Sequence, residues 1–314
     1  MENINVLNNN TNNTPNGSSF KEVRIHKKKK VAAFDVVNII LLLVFALMCI
    51  YPFVNIVLTS FSSEVDYYAS TLLVIPKHFN LEAYRYIFME GGIPRAFFNS
   101  VFTSVFGVTY SMLITSLGAY ALTKRRLPGK NIIFTFILIT MFFGGGVIPF
   151  FLLLKDLHLY NNILGLVIPF GIDCFNLIVL RNFYANVPEE IIESAKLDGA
   201  NDFVVLFKLV MPLSLAGMAT IALFYFVGKW NEWYWPMLLL QDEELFTLSL
   251  QLRNILSDLQ ASDYYNSIGA DTSKLYSKGQ DAASIIVSIL PILCMYPFVQ
   301  KYFVKGVMLG SVKS

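Results

Sequence analysis

The sequence predicts an all-α membrane protein with six transmembrane helices and with its N- and C-termini cytoplasmic. Three observations carry that expectation. The chain has 314 residues, of which 55% are hydrophobic and only 15% charged. Its apolar residues fall into six blocks, 36–58, 97–122, 132–154, 163–180, 215–240 and 282–299. Each is near the length that crosses a hydrocarbon core about 30 Å thick. With the N-terminus inside, the inner segments hold 16 Lys and Arg, whereas outer segments of similar total length hold seven.

Residues 1–19 are rich in Asn, Thr, Gly and Ser and carry too little apolar surface to order themselves. Residues 1–30 are therefore expected to be a disordered, basic cytoplasmic tail. Triplets such as Asn9-Asn10-Thr11 fit a glycosylation pattern that a cytoplasmic tail does not use. The block Lys27-Lys28-Lys29-Lys30 directly precedes a span, which favours a topology anchor on anionic lipid over a nucleic-acid patch. The first apolar block is too long and too far from the start for a cleaved secretory signal, so it is read as an anchor.

The loop 59–96 is expected outside, with residues 80–89 as a short amphipathic helix on the membrane surface. In the second block, 12 of the 27 residues 96–122 are Gly, Ala, Ser or Thr. Small side chains let helices approach closely in lipid, which predicts a buried position in a bundle or subunit interface, or the lining of a polar pathway. The third block contains Gly144-Gly145-Gly146 followed by Pro149, which predicts a kinked or flexible outer end. Pro169 and Asp173 interrupt the fourth block. A carboxylate there is costly unless it faces protein or water, so Asp173 is read either as a pathway residue or as a structural hydrogen-bonding group. The long outer loop 241–281 begins with Asp242-Glu243-Glu244 and carries Tyr264, Tyr265 and Tyr276, a surface suited to an extracellular partner. Cys49, Cys174 and Cys294 lie in apolar blocks without paired spacing, so neither disulfides nor a metal site are expected.

Between the fourth and fifth blocks lies a polar stretch, 187–212, with seven charged residues. Pro188 suits a first helical turn, and Glu189 and Glu190 favour the positive end of the helix dipole. Ile191, Ile192 and Ala195 cluster on one side. Gly199 supplies the left-handed conformation that ends many helices, and Asn201 can cap a second one. In that second helix Phe203, Phe207, Val210 and Met211 recur at helical spacing. Two short helices joined by a glycine elbow are expected, on the cytoplasmic side.

Here the residues match a known pattern. Glu193-Ser194-Ala195, Asp198-Gly199-Ala200 and Leu209-Val210-Met211-Pro212 resemble the EAA loop of ABC importer permeases, with Ser194 where the family usually has Ala. Asn99-Ser100, Ala119-Tyr120-Ala121-Leu122, Trp230-Asn231-Glu232 and Lys305-Gly306-Val307-Met308 resemble the carbohydrate-uptake branch, similar to the smaller maltose permease subunit. The ending YPFVQKYFVKGVMLGSVKS resembles permeases for complex oligosaccharides.

The resemblance implies a type I ABC importer permease fold over residues 31–314, in a bacterial cell membrane, with the coupling loop at about 186–213. It implies a second homologous permease completing the pore, a dimeric cytoplasmic ATPase that binds ATP and Mg, and an extracellular sugar-binding protein. Glu193, Ser194, Ala195, Asp198, Gly199, Ala200 and Pro212 would dock on the ATPase, with Glu193 making a charged contact and Gly199 the elbow. No cofactor is implied in this chain. Consistently, Gly129-Lys130 and Gly228-Lys229 lack the following Ser or Thr of a phosphate loop, so ATP hydrolysis is expected on a partner.

All three tryptophans fall within 228–236, GKWNEWYWP. One reading is an aromatic belt with Lys229 reaching the headgroups or pairing with Glu232. The other is a substrate pathway in which Trp230, Trp233, Asn231 and Glu232, with Asp173, meet a sugar. In that reading Pro236 leaves the Glu232 carbonyl free. A secondary carrier driven by an ion gradient is the main rival, and few intramembrane charges favour it. An intramembrane enzyme would need a catalytic His, Ser or Cys constellation, which the spacing does not provide.

Overall fold

The structure, a computed structural model, describes residues 33–70, 75–89, 92–125, 127–267 and 277–311. The expected tail, its lysine block and its Asn-X-Thr triplet lie outside these residues, as does Tyr276. Among the described residues all regular structure is helical. The chain divides into two units, residues 1–50 and 51–314, and the buried cores lie in the second.

The first apolar block forms α1 (Ala33–Ser60), which carries Pro52 within it. In the next loop, α2 (Glu64–Ala69) holds residues 77 and 78 through Asp66, whose Oδ2 accepts the amides of Lys77 and His78 at 3.1 and 3.3 Å. The amphipathic 80–89 segment forms α3 (Glu82–Met89). Its apolar face, Ala83 and Ile87, packs into a protein core with Ile93, Trp230, Leu248 and Ala283. The expected membrane-surface position gives way to that core because Leu248 and Leu252, remote in sequence, supply the covering apolar surface.

The Ser- and Ala-rich block forms α4 (Ile93–Thr123), against which α7 and α11 pack. Ser104, Ser111, Thr115, Ser116 and Ala119 are all fully buried, the expected outcome of small residues admitting close neighbours. The third block is not one straight span. It forms α5 (Lys130–Phe142) and α6 (Val147–Asp156), bent by 111° at the glycine triplet. Gly146 takes φ +86°, a conformation disfavoured for any side-chain-bearing residue, and Pro149 suits the first turn of the new helix.

The fourth block is likewise not a continuous helix. A 3-10 turn (Ile163–Leu166) leads into irregular backbone, and α7 (Cys174–Ala185) begins only after Asp173. Pro169 withholds an amide donor, and the Asp173 carboxylate accepts the Asn176 amide at 2.8 Å as an N-cap, so the helix starts there. The 187–212 hairpin follows as α8 (Glu189–Leu197), α9 (Asp202–Val205), a π turn (Leu206–Val210) and α10 (Met211–Leu213). An 88° bend at Ser214 then opens α11 (Leu215–Asn231). The fifth block breaks too: α11 stops at Glu232 and α12 (Tyr234–Leu239) restarts before Pro236. Among the described residues, two helices are therefore long and apolar enough to cross a membrane unbroken, and up to four spans result if each bent pair counts as one.

The long segment 241–281 contains a helix that composition hid, α13 (Leu248–Ser267), after a 3-10 turn (Glu243–Leu245). Its Leu248, Leu252 and Ile255 follow helical spacing and are buried. The sixth block lies in α14 (Ser277–Ser311), with Pro291 and Pro297 inside it.

Candidate functional site

Two places concentrate the residues singled out by the sequence. The first is the 187–212 hairpin. Pro188 precedes α8, and the helix ends as expected at Gly199, whose φ is +87°. The amides of Gly199 and Ala200 donate to the carbonyls of Lys196 and Ala195 at 3.0 and 2.9 Å, closing the helix end. Asn201 Oδ1 accepts the Val204 amide at 2.9 Å and starts α9. Glu193, Ser194, Asp198, Gly199 and Pro212 are exposed, while Ala195 and Ala200 pack on the core formed by α4, α7 and α11.

One expected face is corrected. Val210 is buried with Val205 and Leu206, but Phe203 and Phe207 are exposed, because the π turn Leu206–Val210 shifts the phase of the helix partway along. Leu197, Phe203 and Phe207 thus present apolar surface outward from a charged hairpin.

Asp202 ties the hairpin to α4. Its Oδ1 lies 2.7 Å from Lys124 Nζ and 3.3 Å from Lys196 Nζ, and it accepts the Tyr120 hydroxyl at 3.2 Å. The Lys124 ammonium also sits 3.9 Å from the centre of the Tyr120 ring. Arg125 adds a second strut, 2.8 Å from Glu189. The hydrogen bond from Lys124 holds the Asp202 carboxyl below its ordinary value of 3.8. The resulting contribution to stability is present at neutral pH and is lost only as pH falls through that lowered pKa. Replacing Asp202 with alanine removes all three contacts at once. Because the carboxylate is largely exposed, the expected loss of thermal stability is small, about 1 kcal/mol. Melting curves of the purified wild-type chain and the variant check this.

The second place is a cavity of about 350 Å³ among α4, the irregular 167–173 segment, α11 and α12. Its lining includes Thr103, Asp173, Asn176, Tyr225, Lys229, Glu232, Phe170 and Trp235. Tyr225 is its keystone: its Oη accepts the Asp173 amide at 3.0 Å and shares a 2.7 Å hydrogen bond with Thr115. Glu232 Oε1 accepts the amides of Tyr234 and Trp235 at 2.9 and 3.2 Å, capping α12 where α11 breaks. Trp235 packs on Phe150 and Phe170, with ring centres 5.1 and 5.2 Å away.

Of the five pathway candidates, the structure brings Asp173 and Glu232 together in this lining and places the other three elsewhere. Trp230 is 2% exposed, stacked on Phe226, edge-on to Phe97, and donates from Nε1 to the Ser288 carbonyl at 3.2 Å. Asn231 is exposed, and Trp233 lies under the Arg253 guanidinium at 3.8 Å. Sequence reasoning did not single out Tyr225, Thr103 and Trp235 for the cavity. Tyr225 carried a signal, a phenol hydroxyl in an apolar helix, and Trp235 sat within the tryptophan cluster. Asn99-Ser100 proves to be a fastening: Asn99 donates to the Glu244 and Phe246 carbonyls, and Ser100 accepts the Leu248 amide at 2.7 Å.

A family model for the binding-protein-dependent transport system inner membrane component matches residues 32–308. The chain belongs to this family. The permease is 40% identical over 283 residues to the polygalacturonan/rhamnogalacturonan transport system permease protein of Bacillus subtilis (strain 168), covering 89% of this chain and 98% of that one. It is 28% identical over 275 residues to an arabinooligosaccharides transport system permease protein of Halalkalibacterium halodurans, covering 85% and 92%. A solved bacterial ABC transporter involved in the import of the acidic polysaccharide alginate contains a chain 33% identical to it. That chain superposes with a TM-score of 0.78, covering 88% of this chain and 99% of its own length. The permease is thus a membrane-embedded subunit of an ABC importer, of the type I fold, and its role is transport rather than catalysis.

Proposed function

We propose that this permease imports oligosaccharide delivered by an extracellular binding protein, in the bacterial plasma membrane, as one half of a pore shared with a second homologous permease. The 187–212 hairpin faces the cytoplasm and docks on a dimeric ATPase, which carries the ATP and Mg. Glu193, Ser194, Asp198, Gly199 and Pro212 meet that partner, and Ala195 and Ala200 set the hairpin on its own core.

The observation that carries the reading is the cavity. It combines hydroxyl, amide and carboxylate groups with the faces of Phe170 and Trp235, the chemistry that hydrogen-bonds and stacks on sugars. The hairpin supplies the other end of the mechanism. Asp202 links it to α4, and α4 links through Thr115 to Tyr225 in the cavity wall. A partner that binds two arrangements of the hairpin unequally therefore shifts the cavity between two states. The relatives named for polygalacturonan/rhamnogalacturonan and arabinooligosaccharide transport support the substrate class.

The test is uptake into proteoliposomes containing the full complex. ATP inside the cytoplasmic compartment should drive accumulation of labelled oligosaccharide in the presence of binding protein, and ionophores should leave the rate unchanged. Accumulation driven by an ion gradient with the ATPase omitted would overturn the proposal in favour of a secondary carrier.

A further inference from the structure

A second cavity, of about 690 Å³, lies among the ends of α4 and α7, the start of α5 and the side of α8. Its walls carry four cations, Lys124, Arg125, Lys130 and Lys196, and two carboxylates, Glu189 and Glu193. Asp202 adds a third carboxylate, within 3.3 Å of both Lys124 and Lys196, so the positive charges still outnumber the negative ones by four to three. Arg125 is paired with Glu189 at 2.8 Å. Lys130 is the cation left over. Its Nζ donates to the Thr123 and Lys124 carbonyls at 3.4 and 3.3 Å, both long, and no carboxylate pairs with it among the described residues. An ammonium has three donors, so one remains for a ligand, and an anionic oxygen is the strongest acceptor it can meet.

The neighbouring surface indicates what carries that anion. Directly after Lys130, α5 turns Ile132, Ile133 and Phe136 outward, 65, 42 and 63% exposed, and none of its residues is buried. A soluble phosphate compound gains nothing from such a surface, whereas an acyl chain lies along it and places its headgroup at the helix end. A basic recess between helices at the membrane surface, with bare apolar helix beside it, matches an anionic lipid in both parts.

Taking as its basis the reading above that puts the hairpin in the cytoplasm, we propose that this cavity holds the phosphate headgroup of an anionic phospholipid of the inner leaflet, with Lys130 as its principal cation and the acyl chains along α5. The headgroup then bridges the α4–α5 corner to Lys196 on α8, so the lipid braces the hairpin against the membrane-spanning part of the chain.

The test titrates the purified importer complex in detergent with phosphatidylglycerol and, in parallel, with zwitterionic phosphatidylcholine, counting bound lipid by native mass spectrometry. Phosphatidylglycerol is expected to bind at least about fivefold more tightly, the scale of one lysine at a membrane surface. Lys130→Gln should remove most of that preference and Lys130→Arg should keep it. Lys155→Gln, on α6 and outside the cavity, should leave it unchanged. A purely structural role for Lys130 would weaken both lipids alike and leave their ratio as it was. No preference in the wild type, an unchanged ratio in Lys130→Gln, or an equal loss in Lys155→Gln would each overturn the assignment. Full displacement of the lipid by an equal concentration of glycerol 3-phosphate would overturn it in favour of a soluble phosphate compound. The side of the membrane is read separately, from Arg125→Cys in a cysteine-free permease treated with a membrane-impermeant maleimide; the Arg125 side chain is 82% exposed. Reaction confined to inside-out vesicles supports the cytoplasmic placement, so that a lost lipid preference then overturns the headgroup assignment alone. Reaction in intact cells overturns the placement of the hairpin itself and the inner-leaflet assignment with it.

Discussion

Replacing Gly199 with glutamate is expected to abolish uptake, at least about a hundredfold, while the permease still inserts and folds. Gly199 has φ +87°, and nothing lies within 4 Å of the position a Cβ would take. Inside this chain the variant therefore costs only the left-handed backbone strain, roughly 1–2 kcal/mol. The new carboxylate projects from the elbow between α8 and α9, on the surface assigned to the ATPase, where an unpaired charge buried on docking costs several kcal/mol. Gly199→Asn provides the control. Asparagine tolerates the left-handed region, so it should retain most uptake if backbone conformation alone matters. Surface-labelled permease counted by blotting, with uptake measured in the same cells, separates the two effects. Normal uptake by Gly199→Glu would count heavily against docking at this elbow.

Gly217→Leu should fail for the opposite reason. Gly217 sits in the first turns of α11, just past the 88° bend, in ordinary helical backbone. A Cβ there would stand 2.3 Å from Cγ and 2.6 Å from Cδ2 of Phe183 on α7. The Phe183 ring has to move bodily, and with it the α7–α11 contact that frames the core of Leu180, Tyr184 and Ile221. Overpacking of this size costs about 3 kcal/mol or more. The expected result is a melting temperature lowered by several degrees or loss of a monodisperse peak in detergent, and an unchanged melting curve would show that α7 and α11 do not pack as described. The two glycines thus answer different demands, one for a backbone angle at an open elbow and the other for contact between helices.

How much could be read from the sequence depends on the range of the forces involved. The hairpin was legible because Pro188, Gly199 and Asn201 act within a turn or two of themselves, and the structure places a helix start, a left-handed end and a cap at those residues. The glycine triplet announced a break in the third block, but the 111° angle depends on how α6 packs on Trp235 and the Leu166–Leu239 cluster, which no local pattern encodes. The interruptions that Pro169 with Asp173 and Pro236 announced fall at Asp173 and Glu232, where a carboxylate captures backbone amides and restarts a helix. Helix α13 escaped notice because Leu248, Leu252 and Ile255 are spread among polar residues and their partners lie on α3 and α14. Trp230 shows the same limit. Its residue type suits a sugar-binding face equally well as a core, and only the arrival of Phe97, Phe226 and the Ser288 carbonyl settles that it is buried. The Asp202–Lys124 tie joins residues 78 apart in sequence, a distance at which spacing carries no information.

The most direct test of an ATP-driven importer role is the rate of ATP hydrolysis by the co-purified complex, measured across a panel of binding protein and sugar pairs. Hydrolysis should rise severalfold only when the cognate binding protein carries its oligosaccharide, and Gly199→Glu should remove that stimulation. A permease that co-purifies with no ATPase, and moves sugar at an undiminished rate on an ion gradient alone, would contradict it.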